Sequence, residues 1–244
     1  MKYLREFKTE NEYVAYRDGK DYLKPNVSIS DDKSGVFYNF TPPPKTNGYE
    51  YVDLGLPSGT LWATCNVGAD KPLDYGYYFH WGNVQGYTKD QVGKGSGQKK
   101  FDMFDDKLFS YPNYRKYTTL GESLELEDDA AHVNMGGDWH MPSPDQIQEL
   151  IDNTTASSAG GLESGIKFTS KKDTSKFIIF PGAGLAENGS VYSGNSGYVL
   201  SSMLSTDVDY ESQCLFYESS LKSKLDTMPR RDGASVRGVI GEIK

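Results

Sequence analysis

Leu124-Glu-Leu-Glu-Asp-Asp-Ala-Ala-His-Val-Asn-Met-Gly-Gly-Asp-Trp-His-Met-Pro142, followed at once by Ser143-Pro-Asp-Gln146, decides which kind of fold this chain can adopt. Leu124, Leu126, Ala130 and Val133 supply one apolar side for a helix from Leu124 to about Val133. Gly136-Gly137 then permits a tight backbone approach, and Trp139 is a large apolar anchor. Ser143 stands as the N-cap of a second helix, with Pro144 at its first position and Gln146 closing a capping box. Ile147, Leu150 and Ile151 form the apolar stripe of that helix.

Outward from this pair of helices the periodicity shortens to that of strands. Before it, Tyr49 to Leu54 and Thr60 to Val67 flank the turn Gly55-Leu-Pro-Ser-Gly59. After Asn153 come Ile166 to Thr169, Lys176 to Phe180, Gly197 to Ser202, Gln213 to Tyr217 and Ser235 to Ile240, with Lys171-Lys-Asp-Thr-Ser175 as a hairpin turn. A few strands, two helices and then many strands make an α+β fold with antiparallel sheets. The segment from Asn83 to about Gly121 reads as long and irregular. Its Val92-Gly-Lys-Gly-Ser-Gly-Gln-Lys-Lys100 lacks the spacing of a phosphate loop and reads as solvated.

Three consecutive prolines in Thr41-Pro-Pro-Pro-Lys-Thr-Asn-Gly48 divide the chain into residues 1–45 and 46–244. In the first part, Thr9-Glu-Asn-Glu12 reads as a capping box opening a helix from Glu10 to about Asp18, stopped by Gly19. Asn26 to Ile29 and Gly35 to Phe40 read as a hairpin. So short a segment buries little surface alone, and is expected to dock on the main domain, on other subunits or on a larger assembly.

The chain is 36% hydrophobic but 13% aromatic, with 18 tyrosines, which marks a folded protein with a polar surface. Its net charge is -8, and residues 1–45 carry eight Lys/Arg against seven Asp/Glu, so the acidity lies in the main domain. That balance excludes a phosphate-backbone partner such as nucleic acid. Cys65 and Cys214 each stand in an apolar run and read as small buried hydrophobes, not a disulfide. Neither a signal peptide nor an apolar stretch long enough to span a bilayer is visible, so without a trimmed leader the chain is expected to be cytosolically made and not inserted in membrane.

Several blocks resemble the Fibrobacter succinogenes major paralogous domain family, over about Gly48 to Val239. They are Leu56-Pro-Ser-Gly-Thr-Leu-Trp-Ala-Thr64, Glu127-Asp-Asp-Ala-Ala-His-Val-Asn134, Gly137-Asp-Trp-His-Met-Pro142, Phe180-Pro-Gly-Ala-Gly184, Ser201-Ser202 and Ser235-Val-Arg237. The resemblance implies a C-type-lectin-like fold. In it, Trp62, Trp81 and Trp139 are expected in or near the core, and Arg237 is expected to pair with a carboxylate such as Asp128 or Asp129. The sequence departs from the family at Val199-Leu200, where an aromatic pair is usual, and at Gly238, where proline is usual.

Members of that family often serve as variable proteins of diversity-generating retroelements, and the corresponding stretch here runs from about Tyr198 to Asp232. Met203 to Tyr210 interleaves apolar and polar residues without a period, and Glu218 to Arg231 reads as neither an obvious helix nor an ordinary loop. Leu221, Leu225 and Met228 fit a binding face better than a solvated surface. The ligand-binding residues expected are Met203, Tyr210, Phe216, Glu218, Ser220, Lys222, Lys224, Asp226, Met228, Arg230 and Asp232.

Enzyme chemistry finds little footing. His80, His132 and His140 do not stand at a metal-ligand spacing, and His140, Ser143 and Asp145 lack a strained turn presenting the serine. Neither Asp102, Asp105 and Asp106 nor Asp207 and Asp209 match a calcium loop. The fold family includes formylglycine-generating, sulfatase-modifying enzymes, but Cys65 and Cys214 have no cations beside them in sequence to activate a thiol. No catalytic residue, metal or cofactor is expected. The leading expectation is a non-enzymatic receptor-binding component of a phage or prophage, virion-associated, with a cell-surface protein or glycan as ligand and residues 1–45 as its attachment to a virion or oligomer. The alternative is a bacterial cell-surface adhesin or structural protein; the enzyme ranks third.

Overall fold

The computed structural model describes residues 3–7, 26–29, 36–40, 44–93, 109–110, 113–159, 165–194 and 196–242. In the N-terminal part, β1 (Tyr3–Phe7) and β2 (Asn26–Ile29) flank β3 (Val36–Phe40), both antiparallel to it. The expected hairpin is thus present as β2 and β3, with β1 an additional strand. The helix expected over Glu10–Asp18 and the residues 94–100 lie outside the described residues.

The main domain opens with β4 (Lys45–Thr46), β5 (Tyr49–Asp53), β6 (Leu61–Ala63), β7 (Tyr78–Phe79), the short helix α1 (Lys89–Gly93), β8 (Phe109–Ser110) and β9 (Asn113–Tyr114). Next come α2 (Ala130–Met135), α3 (Pro144–Asn153), β10 (Thr154–Ser158), β11 (Gly165–Ser170) and β12 (Phe177–Pro181). The chain ends with β13 (Leu185–Glu187), β14 (Ser190–Tyr192), β15 (Ser196–Leu204), β16 (Glu211–Glu218), β17 (Ser223–Pro229), β18 (Ala234–Ser235) and β19 (Val239–Ile240). A four-stranded sheet has the order β19-β6-β5-β4, a five-stranded sheet β17-β16-β15-β18-β7, and a three-stranded sheet β10-β11-β12. Nearly all pairings are antiparallel, β15 with β18 being parallel, so the fold is mixed α+β dominated by antiparallel sheet. Asn47-Gly48, both at positive φ, turn β4 into β5 as a two-residue hairpin. The division at 45/46 therefore falls inside β4, where Lys45 pairs with Glu50.

The second helix forms as its sequence dictates. Ser143 Oγ accepts from Gln146 N and Gln146 Oε1 accepts from Ser143 N, a complete capping box with Pro144 inside the first turn. The first helix starts later than expected, at Ala130, because Asp129 is its cap: Oδ1 accepts from His132 N at 2.8 Å. Its Oδ2 accepts from Met141 N at 2.8 Å, which closes the loop through Gly136 and Trp139 back onto the helix start. Asp129 is buried, and burial pushes its carboxyl up; the two amide donors offset part of that cost.

The five-stranded sheet separates two apolar clusters. On one side Val199, Leu215 and Tyr217 join Ile147 and Leu150 of α3, Trp62, Ile166, Phe168 and Phe180. On the other, Leu200, Cys214 and Met228 join Trp81, Trp139, Met135 and Met141. All three tryptophans are core residues, at 0–2% exposure, as expected. Both thiols are free, Cys214 buried and Cys65 half-buried. Among the described residues no helix is long and apolar enough to cross a membrane.

Arg237 does not pair with Asp128 or Asp129. The expected final strand, Ser235 to Ile240, splits because the chain crosses there from the five-stranded sheet to the four-stranded one, with Arg237 at the crossing. Its fully buried guanidinium donates to Asn66 Oδ1, Ala63 O and Ile179 O at 2.9–3.0 Å and lies over the Phe180 ring. With no carboxylate among the described residues pairing with it, burial lowers its pKa to about 10. Asp128 instead accepts from Lys116 Nζ and Tyr117 Oη.

Candidate binding face

β16 alternates strictly. Leu215 and Tyr217 point to the α3 side, while Phe216 and Glu218 point to the other, and both of these are only half-buried. The register sets Tyr198 of β15 and Lys224 of β17 on either side of Phe216, with Asp226 opposite Cys214 two pairs further along, on the same face. Tyr198 and Phe216 rings lie 5.0 Å apart, tilted by 48°. Lys224 Nζ is 5.7 Å from the Phe216 centroid and 2.8 Å from Asp226 Oδ2. The β16–β17 turn closes this end: Ser220 Oγ donates to Glu218 Oε2 at 2.8 Å, and Leu221 sits exposed at a φ of 69°. Phe216, Glu218, Ser220, Lys222, Lys224 and Asp226 are thereby brought together, with Tyr198 as a member that the expected set lacked.

Met203 and Tyr210 belong elsewhere. Tyr210 is 54% exposed in the turn between β15 and β16, and Met203 is half-buried and bridged to Ser123. Six residues of strand, roughly 20 Å, separate Tyr210 from Phe216.

Met228, Arg230 and Asp232 are buried, at 2%, 1% and 5% exposure, and are removed from the face. Met228 lies in the cluster that holds Trp81 and Cys214. Arg230 is clasped between the Trp81 and Tyr114 rings, 4.7 and 4.0 Å from their centroids, and donates to Tyr117 O, Asp209 O and Lys116 O at 2.9–3.2 Å. The alternation of the strand continues, but past Thr227 the segment carrying residues 114–117 covers it. Burial, with Glu187 nearby, raises the Asp232 carboxyl to about 6. Leu225 likewise faces the α3 cluster, so of the three apolar residues expected on the face only Leu221 is exposed. Nothing local distinguishes Arg230 from its exposed neighbour Arg231; the signal is the Trp81 and Tyr114 rings, which only the fold brings near.

The other polar groups are occupied by structural work. Lys116 Nζ sits among Glu125, Glu127 and Asp128 at 2.5, 3.2 and 2.6 Å, which engages all three carboxylates of that acidic cluster with one cation and raises the lysine's pKa through those contacts. His132 Nδ1 is 3.1 Å from Trp139 O, and His140 lies between Met141 O and Gly241 O. Ser143 is spent on its cap. Asp207 and Asp209 are exposed; Asp102, Asp105 and Asp106 lie outside the described residues. Cys65 borders a cleft of about 220 Å³ with Tyr49, Glu50 and Asp70. Contrary to the sequence reading, a cation is near it, since Arg237 draws its pKa down, but burial outweighs that and pushes the thiol up. Burial pushes the Cys214 thiol up as well.

No family model, no curated protein and no solved structure matches the chain.

Proposed function

We propose that the chain is a non-enzymatic receptor-binding protein with a C-type-lectin-like fold, related to the Fibrobacter succinogenes major paralogous domain family, whose β16–β17 hairpin face takes a cell-surface protein or glycan. It acts as a virion-associated phage or prophage component, attached through residues 1–45, with the open part of the stretch from Tyr198 diversified by a retroelement. One observation carries the reading. The register gathers Tyr198, Phe216, Glu218, Lys224 and Asp226 on an open face, while the frame is held by other residues, such as Arg237, Asp129 and the three tryptophans. A half-exposed aromatic pair flanked by both signs of charge is recognition chemistry; Tyr198 anchors the pair against the Trp81–Cys214 cluster, while Phe216 and the charged residues stand outside the core clusters. Closure of the domain by β19 against β6, two helices beside antiparallel sheets, and two thiols held in their protonated form support the same reading.

The test replaces Phe216, Glu218, Ser220, Lys222, Lys224 and Asp226 together by alanine. Labelled protein is then scored on a panel of bacterial cells and on a glycan array. Loss of binding with the fold intact supports the reading, and unchanged binding overturns this face. A reverse transcriptase beside the gene, with a near-copy of its 3′ end differing only at adenines, supports diversification; DNA without them overturns it.

A further inference from the structure

The free edge of the five-stranded sheet is β17, and its sequence complements itself. Antiparallel strands exchange backbone hydrogen bonds at every second residue pair. Between β16 and β17, Glu218 N donates to Lys222 O and Arg230 N donates to Tyr210 O, each at 2.9 Å. The register carries that parity through Phe216–Lys224, Cys214–Asp226 and Ser212–Met228. The amides and carbonyls of Ser223, Leu225 and Thr227 therefore point away from β16, and among the described residues no strand pairs with that side of β17. The opposite edge is different: β7 has two residues, and Tyr78 already exchanges both bonds with Tyr87.

We propose that β17 pairs antiparallel with β17 of a second copy about a twofold axis at Leu225, joining two five-stranded sheets into one. Ser223-Lys-Leu-Asp-Thr227 reads the same across that axis in complementary form. Leu225 meets the partner's Leu225, Ser223 meets the partner's Thr227, and Lys224 meets the partner's Asp226. The three outward-facing residues each donate and accept one hydrogen bond, and the two opposite charges sit at the closely spaced, non-bonded positions. Charge also fixes the register. Moving the axis one residue either way sets Lys224 against the partner's Lys224 or Asp226 against the partner's Asp226. Exposed edges are ordinarily guarded by uncompensated charge; here the two charges offset one another within the strand, at 2.8 Å, and again across the axis. The pairing stands independently of any ligand, and it sets the two Phe216 side chains three strand spacings apart and two residues offset along the strands, roughly 16 Å, on one continuous face.

Sedimentation velocity and light scattering on the full chain test this. Wild type is expected to dimerise, and Lys224→Asp (all acidic at the edge) and Asp226→Lys (all basic) are each expected to raise the dimer dissociation constant at least about tenfold. An equimolar mixture of the two recovers dimers, and so does the double variant, in which the charges are exchanged. Thr227→Pro removes an outward amide donor but also the Thr227 Oγ1 hydrogen bond to Glu211 Oε2 of β16, so Thr227→Ala, which loses only the latter, is its control: proline is expected to weaken the dimer and alanine to leave it, with near-UV circular dichroism unchanged in both. A wild type that stays monomeric overturns the proposal, as does a dimer whose constant neither single variant moves, or a mixture that fails to pair.

Discussion

Arg237 Nη2 donates to Ile179 O at 3.0 Å, which ties the crossing between the four- and five-stranded sheets to the three-stranded one. The same guanidinium holds Ala63 O of β6 and the Asn66 side chain, so one buried cation links three sheets. Removing it leaves buried acceptors without donors, which is costlier than the hydrogen bonds are worth in net terms. Arg237→Leu is expected to lower stability by about 3 kcal/mol or more. Urea unfolding with an unchanged slope reads this as a loss of native-state stability. Arg237→Lys keeps the charge but cannot reach all three acceptors, and is expected to recover less than half of the loss.

The split between face and frame predicts two different mutational responses on one hairpin. Alanine at Phe216, Glu218, Lys224 or Asp226 is expected to change stability by less than about 1 kcal/mol each. Met228→Ala removes a core side chain and is expected to cost about 2–5 kcal/mol. Arg230→Ala vacates the space between Trp81 and Tyr114 and is expected to cost about as much. In a chain of this size that separates small shifts in Tm from drops of roughly 5 °C or more. Equal losses at Phe216 and Met228 would place the face inside the core.

What could be read along the chain was what local chemistry decides. The Ser143–Gln146 cap, the Ile147–Leu150 stripe and the hairpin at residues 171–175 depend on neighbours a few positions away, and they stand where their residues put them. The start of α2 lies later than the apolar period implies because Asp129 Oδ1 caps it, and its second oxygen is held by Met141 N, a contact that spacing does not announce. In the candidate face the strand over Gln213–Tyr217 was legible, but β17 (Ser223–Pro229) was not, because Glu218 to Arg231 carries no clear apolar period, and neither was the burial of Met228 and Arg230. Arginine is read as a surface residue until aromatic rings and carbonyls from elsewhere surround it. Arg237 misled for the same reason: its partners are carbonyl and amide oxygens rather than carboxylates.

Gly238 is favoured by packing against the Met135 and Trp139 side chains. A Cβ there would lie 2.5 Å from Met135 Sδ and 3.0 Å from Trp139 Cε3, so the position that the resemblance expects to hold proline has no room for a side chain here. Gly238→Ala is expected to cost about 1–3 kcal/mol through overpacking. Met135→Ala opens the same space, so the double variant is expected to be more stable than the two separate losses would give. A double-mutant cycle measures this, and strict additivity would show that the two residues do not share the space.

Arg231 Nε lies 3.8 Å from the Asp232 carboxylate and draws its pKa down, but burial outweighs it, so the group makes stability depend on pH in the direction opposite to that of an acid whose ion pair dominates. Burial and the nearby Glu187 raise it to about 6 in the folded chain, above the roughly 3.9 of an exposed aspartate. Between those values the folded state holds the proton more tightly than the unfolded state, so this group's contribution to stability falls as pH rises from about 4 through 6 and levels off above. Asp232→Asn removes the titration. The difference in urea midpoint between variant and wild type is therefore expected to move in the variant's favour across that window and to stay constant on either side. Glu187→Gln is expected to shift the window to lower pH, because it removes the charge that helps hold the Asp232 proton. A difference that stays flat from pH 4 to 7 would show that the carboxyl remains ionised and in contact with solvent.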